Sequence, residues 1–465
     1  MTAEALARLE DAVRRDLEYV DQPTADWVPP RHTPDGARVL DVAIIGGGQS
    51  GLGIAAALAR HRVTNLVVLD ENPPGLAGPW RTFARMQVLR TPKEAVGIDG
   101  GLPSLTTRAW YEAAYGPAQW QALGPFLPRA LWAEYLDWFR RVLAIPVRDR
   151  TRAGAVTWNA ERGYFELPLS NHETIAARKV VLATGLHGAG RWFVPDLIAR
   201  GAPPGSFAHT SEAIDFGALA GKRVAVIGAG ASAFDNAACA LEAGARGVDL
   251  LCRRACVPVA SPYRWGGKHL GFLRHHGELP AALRWTFVQQ LTTRGEAPPR
   301  AAVERVAAYP GFRLHEACTL DAVRATPGGL RLATTGGDIE VDFLIVATRF
   351  VTDLSSRPEL AELWPDVATW SDRYTPPPEE RDEDLGRHPY LGAHFELTER
   401  VAGAAPQLGS VFCFNWGALL SLGYAGGNIL GMRYAIPRLV TGITGQLYRE
   451  DADAHLAQLA QFSGL

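Results

Sequence analysis

Near the N-terminus, apolar residues recur at the spacing of one face of a helix. Steps of three and four residues, with charged side chains in between, separate Leu6, Leu9, Val13, Leu17 and Val20. This pattern predicts an amphipathic helix over residues 1–20. Residues 22–35 are rich in proline and polar side chains, and they predict a linker that wraps the first domain.

The next apolar run begins a unit of strand, glycine turn, helix and second strand. The run Val39–Ile45 predicts a buried strand, and a glycine turn of six residues follows it, with the sequence Gly46-Gly47-Gly48-Gln49-Ser50-Gly51. A helix to Arg60 comes next, and then a second strand at Leu66–Leu69, which ends on Asp70. This order predicts a βαβ unit with parallel strands.

The same order of elements appears once more in the middle of the chain. The strand Arg223–Ile227 precedes the turn Gly228-Ala229-Gly230-Ala231-Ser232-Ala233, a helix to about Ala243 and a strand at Val248–Cys252, followed by Arg253 and Arg254. Two such units predict an α/β fold with two Rossmann-like dinucleotide-binding domains.

The segments outside these units carry weaker patterns. Residues 83–147 read as helix and loop, residues 155–183 as a meander of short strands, and residues 261–308 as helical and aromatic. Short strands are predicted at Phe312–Leu314, Leu330–Ala333 and Asp342–Val346. The apolar, glycine-rich stretch 411–449 predicts one long or broken helix, with a glycine turn at 423–428 before Ile429.

These patterns divide the chain into four stretches. Residues 1–37 form the N-terminal helix and linker, and residues 38–217 form the first part of one nucleotide domain. Residues 218–347 form the second nucleotide domain, which is inserted into the first. Residues 348–465 complete the first domain, and the segments 83–147 and 261–308 are helical insertions.

Composition excludes several classes of protein. The 465 residues carry 47 Lys and Arg against 49 Asp and Glu, so a net charge of −2 gives no reason to expect a nucleic-acid or membrane partner. The longest apolar stretch, 39–58, is interrupted by polar residues and glycines, which predicts a soluble protein. Five cysteines rule out a disulfide scaffold and fit the cytoplasm. His269, His275 and His276 lack a matching carboxylate pattern, so no metal is predicted.

The first glycine turn predicts a site for an unphosphorylated dinucleotide. A turn between strand and helix lets the backbone approach a pyrophosphate, and the helix N-terminus supplies unpaired N–H groups. Asp70 ends the second strand, where a carboxylate can accept hydrogen bonds from ribose hydroxyls. FAD fits this turn, with candidate contacts from Gly46, Gly48, Gln49, Ser50, Gly51 and Asp70.

The second turn predicts a phosphorylated dinucleotide. Arg253 and Arg254 stand where the first unit has its acid, and a guanidinium there attracts a 2′-phosphate. NADPH therefore fits this turn, with candidate contacts from Gly228, Gly230, Ala231, Ser232, Ala233, Arg253 and Arg254. Two alternatives stay open, an empty unit that keeps the fold without a nucleotide and arginines that only solvate a strand end.

The order of these motifs resembles the class B flavoprotein monooxygenases, which include flavin-containing, Baeyer–Villiger and ornithine or lysine N-hydroxylating enzymes. The resemblance covers residues 38–445. It rests on both turns and on Leu182-Ala183-Thr184-Gly185, Gly78-Pro79-Trp80-Arg81, Leu89-Arg90-Thr91-Pro92-Lys93-Glu94, Gly205 with His209, and Asp342–Phe350. The chain departs from the family at Ala77, Pro203, Ala213 and Arg349, and it lacks the Asn expected after Thr91.

The resemblance implies an FAD- and NADPH-dependent monooxygenase that forms a C4a-(hydro)peroxyflavin and oxygenates a small molecule with O2. N-hydroxylation of an amine or amino acid is the favoured reaction, with Baeyer–Villiger or S-oxygenation as alternatives. It adds Glu71, Trp80, Arg81, Thr184 and Gly185 to the cofactor contacts. It also implies that the helix after the turn at 423–428 points at the flavin. The catalytic residues are unknown, with His209, Thr91 and Asn415 as candidates, and a homo-oligomer is left open.

Two other classes compete with oxygen transfer. An NADPH oxidase or electron-transfer reductase of the same fold would not need the long segments 83–147 and 261–308, which can cover a substrate. A nucleotide-binding protein without catalysis would act as a redox sensor or scaffold. A dithiol reductase is disfavoured because Cys252 and Cys256 lie at the NADPH adenosine end and the other cysteines are isolated.

Overall fold

The computed structural model describes residues 2–95, 97–425 and 427–462. Its α-helices are α1 (Thr2–Val20), α2 (Gln49–Arg60), α3 (Thr107–Tyr115), α4 (Pro117–Ala122), α5 (Arg129–Val142), α6 (Asp196–Gly201), α7 (Ala231–Glu242), α8 (Pro262–Lys268), α9 (Leu270–His275), α10 (Ala281–Arg294), α11 (Arg300–Ala307), α12 (Trp370–Arg373), α13 (Glu383–Gly386), α14 (Leu419–Leu422), α15 (Ile429–Glu450) and α16 (Ala452–Gln461).

Its strands are β1 (Arg31–His32), β2 (Arg38–Ile45), β3 (Leu66–Leu69), β4 (Val88–Pro92), β5 (Phe126–Pro128), β6 (Val147–Arg148), β7 (Thr157–Asn159), β8 (Tyr164–Pro168), β9 (Thr174–Leu182), β10 (Gly190–Trp192), β11 (Phe207–His209), β12 (Arg223–Ile227), β13 (Gly247–Leu251), β14 (Phe312–His315), β15 (Leu320–Thr326), β16 (Gly329–Thr334), β17 (Gly337–Val341), β18 (Phe343–Val346), β19 (Phe350–Thr352) and β20 (Val411–Cys413).

The first sheet has the order β6-β3-β2-β9-β8-β7, and β1 and β20 join it beside β2 and β9. The strands β6, β3, β2, β9 and β20 run parallel, whereas β7, β8 and β9 form an antiparallel meander. Buried side chains of α2, α5 and α15 pack with these strands into one core. Because both faces of the central strands are covered, β2 ends in the apolar run of residues 42–45 and β9 ends in the apolar run of residues 180–182.

The second sheet is entirely parallel, with the order β11-β18-β12-β13-β14. Helices α7 and α11 cover one face, while α6 and the antiparallel ribbon β15-β16-β17 cover the other. Its edge strand β11 lies upstream of the boundary predicted at residue 218. The reason is a long-range pairing between β11 and β18 that no local pattern encodes.

The chain crosses between the two sheets twice, and the two crossings pair with each other. Strand β10 leaves the first sheet and β19 returns to it, and these strands are antiparallel, with Gly190 opposite Thr352 and Trp192 opposite Phe350. A Cβ on Gly190 would stand 2.1 Å from the carbonyl oxygen of Val351. The crossings are therefore packed too closely to admit any side chain at that position.

Most of the predicted elements are confirmed. The N-terminal helix, both βαβ units, the meander at 155–183 and the helices at 261–308 are present, and α15 begins at Ile429 as expected. Residue 426 of the predicted turn lies outside the described residues. Among the described residues of the chain, no helix is both long and apolar enough to cross a membrane.

The prediction of a helical tail from residue 411 is wrong at its start. Val411–Cys413 forms β20, which pairs in parallel with β9. A short, fully buried strand has the same apolar pattern as a buried helix, so periodicity cannot separate the two. The ribbon strands β15 and β17 were also absent from the prediction, since their partly exposed sequences carry little apolar signal.

A buried ion network fastens the end of α15 to the centre of the first sheet. On β9, Arg178 lies 2.7 Å from Asp451 and 3.0 Å from Glu450, and the adjacent Lys179 also pairs with Glu450. Arg31 reaches Asp451 from the other side at 2.7 Å. The side chains of Arg178 and Lys179 are 1% exposed, so their charges depend on these carboxylates for compensation.

Replacing Asp451 with Asn is expected to destabilise the fold by about 3 kcal/mol, because the buried Arg178 and the neighbouring Arg31 both lose a carboxylate partner. Thermal unfolding monitored by circular dichroism measures the effect. The control is Glu304→Gln, which breaks the pair with Arg300 at the surface and is expected to cost less than about 0.5 kcal/mol. Equal melting temperatures for the two variants would show that the network adds nothing.

Candidate functional site

The first glycine of each nucleotide turn lies against a carbonyl oxygen at the end of a neighbouring strand. Gly46 has φ 110°, and a Cβ there would stand 2.5 Å from the oxygen of Ala183. Gly228 has φ 122°, and its Cβ would stand 2.3 Å from the oxygen of Ala347. Neither the backbone conformation nor the space admits another residue. The two turns are therefore built in the same way.

The glycine two residues further along each turn leaves room for a Cβ instead. For a Cβ on Gly48 the nearest atoms belong to Gly78, at 3.9 Å, and for Gly230 the nearest is the oxygen of Glu296, at 3.6 Å. Both glycines are N-caps, of α2 and α7, and neither helix receives a side-chain cap in the described chain. Open space beside uncapped helix N-termini fits the diphosphate of a dinucleotide.

The other turn residues have structural partners. Gln49 accepts a hydrogen bond from the indole of Trp132 at 3.2 Å, and Ser50 contacts the sulfur of Met432 at 3.7 Å. A Cβ on Gly51 would stand 1.9 Å from the oxygen of Gly46. In the second turn the matching residue is Ala233, and it is fully buried beside Ala231 in α7. Ser232 accepts, through its backbone oxygen, a bond from Asn236 at 2.8 Å.

Asp70 is held by the first turn itself. One oxygen of its carboxylate accepts a hydrogen bond from the backbone N–H of Gly47 at 2.7 Å, and the other accepts from the N–H of Asn72 at 2.8 Å. The oxygen bonded to the Asn72 backbone also accepts from the side-chain amide of Asn72 at 3.0 Å. The oxygen bonded to Gly47 keeps a lone pair, so it can make the predicted ribose contact. Glu71, predicted beside it, is exposed and pairs with Arg152 at 2.8 Å.

Trp80 and Arg81 follow the turn around Gly78. The indole Nε1 of Trp80 is buried and has no hydrogen-bond partner among the described residues. Arg81 donates to the oxygen of Gly75 at 2.7 Å and to Asp137 at 2.6 Å. Of the two predicted cofactor contacts, the indole N–H of Trp80 is available to a ligand, whereas the guanidinium of Arg81 already donates to protein oxygens.

The two arginines after β13 have different roles. Arg254 donates to the carbonyl oxygens of Arg294 at 2.5 Å and Thr293 at 3.1 Å, so it caps the C-terminus of α10. Arg253 is exposed, and the part of the chain that is described offers its guanidinium no ion pair. The predicted contact with a 2′-phosphate therefore falls to Arg253.

The candidate Asn415 is buried, and its amide is fully used. It donates to Thr184 Oγ1 at 3.1 Å and to the oxygen of Gly188 at 3.2 Å, and it accepts from the N–H of Gly417 at 2.8 Å. These bonds join the end of β9 to the turn after β20, and the oxygen of Gly185 accepts the N–H of Trp416 at 3.4 Å. Asn415 thus lies with the predicted Thr184 and Gly185 in one cluster.

The candidate Thr91 lies apart from that cluster, on β4. It lines a small hollow together with Trp132 and Ile429, the first residue of α15. Trp132 also contacts Gln49 of the first turn. Thr91 is thereby on the same side of the first sheet as that turn.

The candidate His209 lies in the junction between the two sheets, beside a second histidine that the sequence analysis missed. The Nδ1 of His209 bonds to Ser211 Oγ at 2.8 Å, and its ring lies 4.8 Å from that of Trp192. The ring of His187 lies 4.2 Å from that of Trp192 and stacks on Phe83 at 3.9 Å. Both Nε2 atoms are buried without a partner among the described residues.

Burial keeps these two histidines neutral. It lowers the pKa of His187 to about 4 and also lowers the pKa of His209. In the sequence, the one feature that could have marked His187 as a site residue was its position two residues after Gly185, in the crossing. A single histidine in a linker has no local pattern, so sequence reasoning alone could not select it.

A buried ion pair also links the two nucleotide domains. Arg90 of β4, in the first domain, lies 3.1 Å from Asp235 of α7, in the second, and Arg305 lies 3.3 Å from the same carboxylate. Burial raises the pKa of Asp235 despite the two arginines. The contact holds α7, and with it the second turn, against the first domain.

The start of α8 lies beside the second turn. Ser261 Oγ donates to the carboxylate of Glu296 at 2.7 Å, and the backbone oxygen of Glu296 is the atom nearest to a Cβ on Gly230. The residue after Pro262 is Tyr263, whose ring lies 6.0 Å from that of Trp416. Helix α8 therefore spans the distance from the second turn to the cluster around Asn415.

Trp416 also contacts the turn that opens α15. A Cβ on Gly427 would stand 2.6 Å from its indole ring. Asn428 caps α15 by accepting the N–H of Gly431 at 3.1 Å. The ring of Trp416 thus packs between the end of β20 and the start of α15.

In the described residues, no group of three or more His, Cys, Asp or Glu could hold a metal ion.

Comparison with known proteins agrees with this geometry. Residues 43–187 match a family described as FAD-NAD(P)-binding, and residues 123–257 match the L-lysine 6-monooxygenase/L-ornithine 5-monooxygenase family. The chain is 42% identical over 450 residues to an FAD-dependent urate hydroxylase from Xanthomonas campestris, an alignment that covers 97% of this chain and 94% of the relative. It is 28% identical over 201 residues to a Baeyer-Villiger monooxygenase from Pseudomonas aeruginosa, covering 43% and 35%.

Solved structures share the fold at low identity. L-lysine 6-monooxygenase from Pseudomonas syringae superimposes with a TM-score of 0.68 at 17% identity, over 87% of this chain and 99% of that one. The cadaverine monooxygenase from Erwinia amylovora, bound to FAD, gives a TM-score of 0.67 at 16% identity, over 88% and 95%.

Two dinucleotide turns, each between parallel strands of its own sheet, define a flavoprotein that binds FAD and a nicotinamide dinucleotide. The chain belongs to the class B flavoprotein monooxygenases, and the resemblance found in the sequence is confirmed. It is a flavin-dependent oxidoreductase that acts with oxygen on a small molecule.

Replacing Gly48 with Val is expected to give a folded but colourless protein. The backbone at Gly48 (φ −74°) accepts any residue and no protein atom lies closer than 3.9 Å to its Cβ, so only a bound diphosphate would be displaced. Flavin absorbance per mole of protein measures the effect. Gly124→Val is the matched control, since a Cβ there meets no atom of the described residues within 4 Å and Gly124 lies far from the turn in sequence. Full flavin content in the Gly48 variant would contradict the assignment.

Replacing Arg253 with Ala is expected to raise the KM for NADPH roughly tenfold or more and to leave the KM for NADH nearly unchanged, because it removes charge-assisted bonds to a 2′-phosphate. Replacing Arg254 with Ala should affect both coenzymes alike, since Arg254 caps α10. Steady-state kinetics with both coenzymes distinguish the two. An unchanged preference for NADPH in the Arg253 variant would refute its role.

Proposed function

We propose that this chain is an FAD- and NADPH-dependent monooxygenase that hydroxylates urate or a closely related planar nitrogen heterocycle. The observation that carries the proposal is the extent of the similarity to the urate hydroxylase. That similarity spans 97% of this chain, so it includes the helices α8–α10 beside the second turn. The lysine and ornithine family matches only residues 123–257 and ends before α8.

In this function the cofactor supplies the oxygen chemistry and the protein supplies binding and shielding. Bound FAD and NADPH would supply the electrons and the activation of O2, with one oxygen atom entering the substrate and the other leaving as water. The N-terminus of α2 with Gly48 would hold the FAD diphosphate, and Asp70 would accept from its ribose. The N-terminus of α7 with Gly230 would hold the NADPH diphosphate, and Arg253 its 2′-phosphate.

The residues between the turns would bind the substrate and exclude water. Tyr263 and Trp416 present flat aromatic rings, which suit a planar heterocycle. Tyr424, at 2% exposed, packs next to Tyr263, and Phe272, at 7% exposed, packs next to Tyr424, so both would shield the space beside these rings from water. Exclusion of water from such a space protects a reactive oxygen species from side reactions.

N-hydroxylation of an amine or amino acid, the reaction expected from the sequence, is the second candidate. The match to the lysine and ornithine family favours it, and so does the carboxylate of Glu296, which lies at the start of α8 beside Tyr263 and could pair with a substrate ammonium group.

A cytoplasmic location fits the five cysteines, which are all free thiols.

The test measures NADPH oxidation, oxygen uptake and peroxide release by the purified yellow protein. We expect urate to stimulate NADPH oxidation several-fold and to lower peroxide release, with loss of urate absorbance in step. L-ornithine, L-lysine and a reaction without substrate are run in parallel. Stimulation by an amine and not by urate would replace the first candidate with the second.

Two further outcomes decide the remaining classes. NADPH oxidation with stoichiometric peroxide, unaffected by every compound tested, would indicate an oxidase or electron-transfer reductase. A protein that binds no flavin under any condition would indicate a sensor or scaffold. Either result would refute the proposed oxygen transfer.

A further inference from the structure

Tyr263 lies between the two nucleotide sites. Its neighbour Ser261 is tied to Glu296, which contacts the second turn at Gly230. Its own ring faces Trp416, which packs on the turn that opens α15. These contacts place Tyr263 between the second turn and the turn that opens α15.

The backbone of Tyr263 is fixed by a second tyrosine. Tyr424 donates its hydroxyl hydrogen to the carbonyl oxygen of Tyr263 at 3.0 Å. Helix α8 packs so closely here that a Cβ on Gly266 would stand 2.8 Å from the hydroxyl oxygen of Tyr424. Tyr424 is 2% exposed, so this bond is shielded from water. The backbone position of Tyr263 is therefore set before any ligand binds.

The two tyrosines differ in what their hydroxyls can still do. The Tyr424 hydroxyl is engaged, whereas the Tyr263 hydroxyl has no hydrogen-bond partner within the described ranges of the chain. The ring of Tyr263 lies 6.0 Å from Trp416 and 6.1 Å from Tyr424, between aromatic neighbours. Burial, together with the negative charge of Glu296, raises the pKa of Tyr263, so its hydroxyl remains a donor at neutral pH.

We propose that Tyr263 is a substrate-binding and specificity-determining residue, whose hydroxyl donates a hydrogen bond to a ring carbonyl or ring nitrogen of the planar heterocycle while Trp416 packs on the face of its ring. The proposal rests on the proposed function and adds the residue that recognises the substrate. Urate carries carbonyl oxygens around its ring and offers such an acceptor. A half-buried donor without a protein partner gains most from a ligand that supplies one.

The experiment compares Tyr263→Phe with Tyr434→Phe in the flavin-loaded protein. Tyr434 is a matched control because it is a half-buried tyrosine of the same aromatic cluster, near Arg274 and away from both turns. Equilibrium dialysis measures urate binding without NADPH, and steady-state kinetics separate KM from kcat. We expect Tyr263→Phe to raise the Kd and KM for urate roughly three- to tenfold, the effect of losing one hydrogen bond.

Tyr434→Phe is expected to leave both constants unchanged. Flavin content and melting temperature are measured for both variants, since a general loss of structure would lower them. A Tyr263→Phe variant that binds urate as tightly as the wild type would overturn the assignment. If the same variant also showed slower reduction of the flavin by NADPH, Tyr263 would contact the nicotinamide and not the substrate.

The same measurements separate this inference from the proposed function. If the wild-type protein binds no urate and is stimulated only by an amine, the proposed function fails and the assignment of Tyr263 to a heterocycle fails with it. If the wild type binds and consumes urate but Tyr263→Phe matches the control, the assignment alone fails.

Discussion

A glycine packed against a strand-end carbonyl oxygen positions both nucleotide sites. At Gly46 and Gly228 the contact leaves no room for a Cβ, so each turn is held at one distance from the strand beside it. The open glycine two residues later, Gly48 or Gly230, therefore lies at the N-terminus of a helix. The carbonyls belong to Ala183 and Ala347, and the threonines that follow them begin the two crossings between sheets. One local constraint therefore sets both where a diphosphate can bind and where the chain leaves each sheet.

The relation between the two sites depends on contacts of a different kind. The crossings pair as β10 and β19, with Gly190 too close to Val351 for any side chain. Trp192 fills the junction between two neutral histidines, and Arg90 reaches across to Asp235 on α7. These contacts fix the second turn relative to the first, which transfer of a hydride between two bound dinucleotides requires.

The helices α8–α10 lie within the stretch that aligns with the urate hydroxylase and outside the stretch matched by the lysine and ornithine family. Solved structures that share 16–17% identity with this chain superimpose over most of its length, so they have the same overall fold. The similarity to the urate hydroxylase extends through α8, where Tyr263 lies between the turns. Since the cofactor carries the oxygen chemistry, the proposed function assigns substrate choice to the side chains of this layer.

The sequence by itself determined the two βαβ units, their order and the acid or arginine that ends each second strand. These features are local: an apolar run, a glycine where φ is positive and a helix period are all contained in adjacent residues. Tertiary structure alone decided that Arg254 caps α10 while Arg253 stays exposed, that His187 joins His209 at Trp192, and that Val411–Cys413 is a strand. The same structure gave the second sheet an edge at β11, ahead of the predicted boundary. Each of these depends on a partner far away in the chain, and the local sequence is compatible with more than one such partner.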